Sequence, residues 1–245
     1  MTDPAILRQA RIDLAAALRW GDRHGFGEGI GNHFSFMVPG TNDRFLINPQ
    51  KRHWRELTAS KLLLVGAEGQ LIEGDGPPER TAYVIHWRVH RAVPQARCIL
   101  HCHAPYATAL TLRREGRLEM CEQNALIFYG RLAYDDDYGG LALDGSEGDR
   151  IAAKLGNASA LMLASHGVIV TGRNVAEAFT DLYYLERAAQ AQVLAASGGH
   201  ALRTIPEDVQ RRTAQQHMQE YDGLAQRLFG AYRRILDREE PDYRA

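Results

Sequence analysis

Leu7, Ile12, Leu14 and Leu18 fall near one stripe of a helical repeat, which predicts an amphipathic helix over 4–20, opened by Pro4 and stopped by Gly21. The pattern then shortens. HFSFMV (33–38), RFLIN (44–48) and LLLVG (62–66) are strand-like pieces parted by Gly, Pro and Asn turns, with GQLIEG (69–74) as a hairpin partner of the last. Helical spacing returns over 81–93, where Pro94 ends it. CILHC (98–102) predicts an apolar strand, Pro105 opens the next helix, and NALIFYG (124–130) is a further strand. A short helix is expected over 146–155. ALMLAS (160–165) and VIVTG (168–172) form a strand pair bent at His166-Gly167. Asn174 caps a long helix to about residue 196, and 206–236 holds one or two more. Strands and helices interleave throughout, so the expected class is α/β or mixed α+β, a central sheet with helices layered on it.

Composition narrows the setting. A chain of 245 residues with 45% hydrophobic and 24% charged residues suits one domain, here 1–245, with a helical extension from about residue 200. A formal charge of −1 gives no reason to expect nucleic acid or an anionic membrane as partner. Three cysteines do not make a disulfide framework, and a reducing, cytoplasmic setting is the simpler expectation. Neither a signal-peptide pattern nor a run of about 18 apolar residues is evident.

The chemistry concentrates in ILHCHAPYATAL (99–110). Positions i and i+2 of a strand share a face, so His101 and His103 can converge on one point off the sheet's end. His166, in LMLASHGV, is a third histidine at the end of an apolar strand, and the glycine after it permits a sharp turn. Three neutral imidazoles would leave a tetrahedral divalent metal one open position, as in catalytic sites. Zinc is the first expectation, while manganese, cobalt or iron are also acceptable to imidazole. A His-x-His pair alone also occurs on ordinary strands. His86 and His90, one helical turn apart, lack the glutamate of HExxH and are assigned surface or supporting roles.

EGIGNHFSF, RFLINP, RAVPQARCILHCHAPYATAL, ASHGVIVTGRNVAEAF and LYYLERAAQAQ occur in this order over roughly residues 7–196. In these blocks the chain resembles the class II aldolase/adducin head family. The resemblance implies His101, His103 and His166 as metal ligands, a largely antiparallel sheet, and a homo-oligomer, usually a tetramer, with active sites between subunits.

Sugar-phosphate aldolases of that family hold phosphate through three motifs, each altered here. His33 stands where a phosphate-binding asparagine would be, in Asn32-His33-Phe34-Ser35; Asn48-Pro49-Gln50-Lys51 replaces a Thr-Pro-Thr/Ser-Gly block; Pro77-Pro78 replaces a serine pair. Proline supplies neither a hydroxyl nor an N–H to an oxyanion. The substrate is therefore expected to be a small unphosphorylated hydroxy- or oxo-acid, with His33 and Lys51 as candidate cations and Ser35 and Tyr129 as further substrate contacts. For the general acid/base, an ungapped count from His101 puts the aldolases' glutamate at Ala82, and a three-residue shift brings in Glu79; Glu122 is the other candidate. Tyr106 and Tyr138, like Tyr129, are possible proton donors. The expected activity is a metal-dependent C–C lyase, an aldolase or decarboxylase working through a metal-stabilised enolate. The alternative is a non-enzymatic adducin-like assembly module.

Overall fold

The computed structural model describes residues 3–140 and 145–245. Helix α1 (Pro4–Arg23) starts where the Asp3 carboxylate accepts the Ala5 N–H at 2.8 Å, with Pro4 in the first turn. Strands β1 (His33–Met37), β2 (Arg44–Ile47), β3 (Leu63–Gly66) and β4 (Leu71–Glu73) follow. After α2 (Arg80–Ala92) come β5 (Cys98–Cys102), α3 (Pro105–Thr111), β6 (Leu132–Asp135) and α4 (Gly145–Leu155). The remainder is β7 (Ala160–Leu163), β8 (Gly167–Gly172), α5 (Val175–Ala196) and one continuous 33-residue helix, α6 (Glu207–Glu239).

The strands form one eight-stranded sheet in the order β4-β3-β2-β1-β5-β8-β7-β6. Every neighbouring pair is antiparallel except β6 with β7. Alternation decides which side chain goes where. From β1, Phe34 and Phe36 enter the larger core with Leu100, Val170, Phe179 and Leu18, under α1, α3, α5 and α6. The opposite face carries two smaller apolar clusters. One, around Ile85, Ile99, Leu161 and Ile169, takes in α2 and α4; the other surrounds Phe45, Ile47 and Val65. Helices on both faces make three layers. Helix α5 is buried through its first turns, and Asn174 caps it by accepting the Glu177 N–H at 3.0 Å. No helix among the described residues is long and apolar enough to cross a membrane.

One expected element differs, and one strand was not expected. Residues 124–130 do not form a strand: Ala125–Phe128 is a buried 3₁₀ turn. The Glu122 carboxylate accepts the N–H groups of Asn124 (2.9 Å) and Ala125 (2.7 Å), and Gly130 leaves the turn at φ +71°. A short apolar run reads alike as strand or buried turn, and this capping decides it. The strand of this region is β6, at the edge of the sheet.

Candidate metal centre and cleft

Strand β5 delivers His101 from its last turn of pleat and His103 just beyond its end, while His166 lies in the turn between β7 and β8. That turn brings Ser165 to φ +57° and Gly167 against β5. A Cβ on Gly167 would lie 2.7 Å from both the Cys102 carbonyl oxygen and the His103 ring, so only glycine allows this approach. One nitrogen from each of the three histidines lies within 4.8 Å of the others.

The tautomers suit a cation. The Nδ1–H of His101 donates to the Val168 carbonyl at 3.0 Å, which leaves Nε2 bare. Glu28 accepts the Nδ1 proton of His103, and the His103 Nε2 is buried without a hydrogen-bond partner. Burial, reinforced by neighbouring imidazoles, pushes His101 well below its ordinary pKa and His166 down to about 4. Neutral imidazoles with free lone pairs are the form a divalent metal needs, so the residues present fit the ion that the donor set implies.

A cleft of about 600 Å³ opens over this cluster, lined also by His33, Thr81, Thr108 and Tyr138. A smaller adjoining lobe adds Asn32, Gln50 and Glu79. Glu79 caps α2 as well: its carboxylate accepts hydrogen bonds from the Ala82 N–H (2.6 Å) and the Thr81 hydroxyl. Burial pushes its pKa up, but those hydrogen bonds outweigh burial and hold the group below the usual carboxylate range. Ala82, where the ungapped count falls, is buried and carries no chemistry.

The other expected residues divide. His33 reaches the cleft, but burial lowers its pKa to about 4, so it is neutral at pH 7 and lacks the charge assigned to it. Ser35 is fully buried, and its hydroxyl is engaged with His86 (2.5 Å) and His90 (2.8 Å) rather than with the cleft. His86 and His90 are themselves buried, so neither lies on the surface. Lys51 occupies an exposed turn at φ +67°, outside both lobes. Glu122 caps the 3₁₀ turn, and the Tyr129 hydroxyl donates to Glu207 at 3.2 Å; neither lines the cleft. Among the described residues, no lysine or arginine lines either lobe. Glu28 is the residue the sequence reading missed. It opens the EGIGNHFSF block, but its meeting with His103, 75 positions away, is visible only in three dimensions.

A family model described as the Class II Aldolase and Adducin N-terminal domain matches residues 12–193. A Caulobacter vibrioides protein named "Putative aldolase class 2 protein" is 37% identical over 244 residues, covering 96% of this chain and 91% of that one. An aldolase II superfamily protein from Pseudomonas syringae superposes with a TM-score of 0.92 at 33% identity, over 100% of this chain and 98% of the other. L-Fuculose 1-phosphate aldolase from Glaciozyma antarctica PI12 has a TM-score of 0.83 over 100% and 96% of the two chains; at 24% identity, it is a likeness of fold. The chain belongs to the class II aldolase/adducin family.

Proposed function

We propose that this protein is a divalent-metal-dependent lyase that breaks a C–C bond in an unphosphorylated hydroxy- or oxo-acid, by aldol cleavage or decarboxylation. The observation that carries the reading is the convergence of His101, His103 and His166, the first two held by partners on Nδ1. A divalent ion there, zinc in the first place and otherwise manganese, cobalt or iron, would supply Lewis acidity to lower the cost of the negative charge that C–C cleavage leaves beside a carbonyl. The chain's own residues do the rest. Glu79 enters ionised and is the carboxylate able to take up a proton at the cleft wall, while the Tyr138 phenol at its mouth can give one. Among the described residues no lysine or arginine stands in the lining, which suits the single charge of a small carboxylate better than the double charge of a phosphate.

An adducin-like assembly module would need neither the three-histidine cluster nor the Glu28 contact that orients it. The family resemblance supports a homo-oligomer, most simply a tetramer. The three free cysteines, two of them buried, support a cytoplasmic setting. The test is a screen of zinc- and manganese-loaded protein against hydroxy- and oxo-acids, following released aldehyde and carbon dioxide. Turnover of an unphosphorylated acid, abolished in His166→Ala, is expected. Efficient cleavage of fuculose 1-phosphate with no turnover of any acid would overturn the substrate assignment.

A further inference from the structure

Strand β1 interrupts the apolar layer beneath α2. Phe34 and Phe36 face the large core, but His33 and Ser35 face α2, between its two apolar clusters. There they meet His86 and His90 in an unbranched chain of hydrogen bonds. His90 Nδ1 lies 2.7 Å from the Ala96 carbonyl, His90 Nε2 lies 2.8 Å from the Ser35 hydroxyl, that hydroxyl lies 2.5 Å from His86 Nδ1, and His86 Nε2 lies 2.7 Å from His33 Nδ1.

The Ala96 carbonyl determines every proton in this chain. A carbonyl only accepts, so His90 must carry its hydrogen on Nδ1. In a neutral imidazole the other nitrogen is then bare, and His90 Nε2 accepts the Ser35 hydroxyl hydrogen. With that hydrogen committed, Ser35 can only accept from His86, whose hydrogen is therefore also on Nδ1. His86 Nε2 is bare and accepts from the Nδ1–H of His33. The last bare atom is His33 Nε2, on a ring that lines both lobes of the cleft and packs 4.8 Å, centroid to centroid, from His101.

We infer that His33, His86, Ser35 and His90 form a one-way relay that fixes His33 as a hydrogen-bond acceptor at the cleft wall, with Ser35, His86 and His90 as positioning residues. His86 and His90 are buried, and burial lowers His90 to about 3 and His86 well below its ordinary value, so each keeps one bare nitrogen as the relay requires. The Glu79 carboxylate shares the same lobe, so this wall offers acceptors only from these two side chains. Beside these two acceptors a donor such as a substrate hydroxyl is favoured over a carboxylate, while the Asn32 and Gln50 amides are the donors of the same lobe. The carboxylate of a hydroxy- or oxo-acid therefore points away from His33, and a hydroxyl points towards it. Only this consequence for substrate rests on the lyase reading; the tautomer is a property of the metal-free protein.

The test is long-range ¹H–¹⁵N correlation of histidine-labelled, metal-free protein at neutral pH, with ring signals assigned by single His→Gln variants. His33, His86 and His90 are all expected as Nδ1–H forms with unprotonated Nε2, although a solvated imidazole favours the opposite tautomer. His33 found as Nε2–H or as imidazolium would overturn the proposal. Ser35→Ala breaks the relay by removing one atom and should shift His33 towards Nε2–H, while Ser35→Thr, which keeps the hydroxyl, should restore the wild-type pattern. An unmoved His33 in folded Ser35→Ala would refute the relay's control. If Ser35→Ala does not fold, the wild-type spectrum decides alone. Failure of every acid in the activity screen would leave these spectra unaffected, so the two readings fail separately.

Discussion

Glu28, in the loop after α1, accepts the Nδ1 proton of His103 and leaves the His103 Nε2 directed at His101 and His166. The carboxylate is largely exposed, with 66% of its side chain accessible, so its role is orientation rather than packing. Partners of this kind fix the ring and raise its basicity as a ligand. Glu28→Ala should therefore weaken metal binding about 10- to 100-fold with little change in unfolding midpoint. Competition against a chelator of known affinity measures the first quantity, and urea unfolding of metal-free protein the second.

Gly167 makes the β7–β8 turn possible. In Gly167→Ala the new methyl would meet backbone and the His103 ring at 2.7 Å, and neither can withdraw without moving a ligand. Overpacking of this kind costs about 1–3 kcal/mol. Loss of stability and of metal affinity together is the expected result; a stable variant with unchanged affinity would show that the close approach is not needed.

The buried histidines give the fold a pH dependence. His90 has a folded pKa of about 3 against an ordinary 6.5, chiefly through burial, so the unfolded chain binds its proton first. Stability from this group is complete above pH 6.5 and is lost as pH falls from there towards 3. The slope in that window is about 1.4 kcal/mol per pH unit for one such group. Urea unfolding of metal-free protein from pH 7.5 to 4.5 should show the decline, with a shallower slope in His90→Gln. A flat profile over this range would contradict the neutral, buried state of His90.

Unlike Glu79, which is the one proposed for proton transfer, Glu122 is a structural carboxylate. It accepts two backbone N–H groups at the 3₁₀ turn and lies outside the cleft. Glu122→Ala should cost about 0.5–2 kcal/mol, as for loss of a cap, and leave metal content unchanged. Glu79→Ala, by contrast, should lower kcat for any substrate the screen identifies.

What the sequence made legible follows from how local each signal is. Alternation in β1, the apolar run of β5 and the Asn174 cap depend on neighbours, and the structure forms those elements where expected. His101 and His103 share a strand face by period alone, and the His166-Gly167 turn is equally local. Residues 125–128 were misread because a four-residue apolar run carries no period, and the cap that decides it comes from a glutamate outside the run. Strand β6 was missed because LAYD is short, mixed in character and half-buried at the sheet edge. The charge assigned to His33 failed for a different reason. Its neutrality depends on burial under α2, reinforced by His166 and His103, far away in sequence. Lys51 had the right charge in the right block, but its turn faces solvent.

The central claim is that three histidines hold one catalytic divalent metal, and elemental analysis of gently purified protein tests it most directly. The expected result is about one divalent ion per chain in the wild type, with most of it lost from folded His101→Ala, His103→Ala and His166→Ala proteins, as a three-ligand site predicts. Full occupancy in His166→Ala would remove the third ligand, and a wild-type protein that takes up no stoichiometric metal would contradict the account.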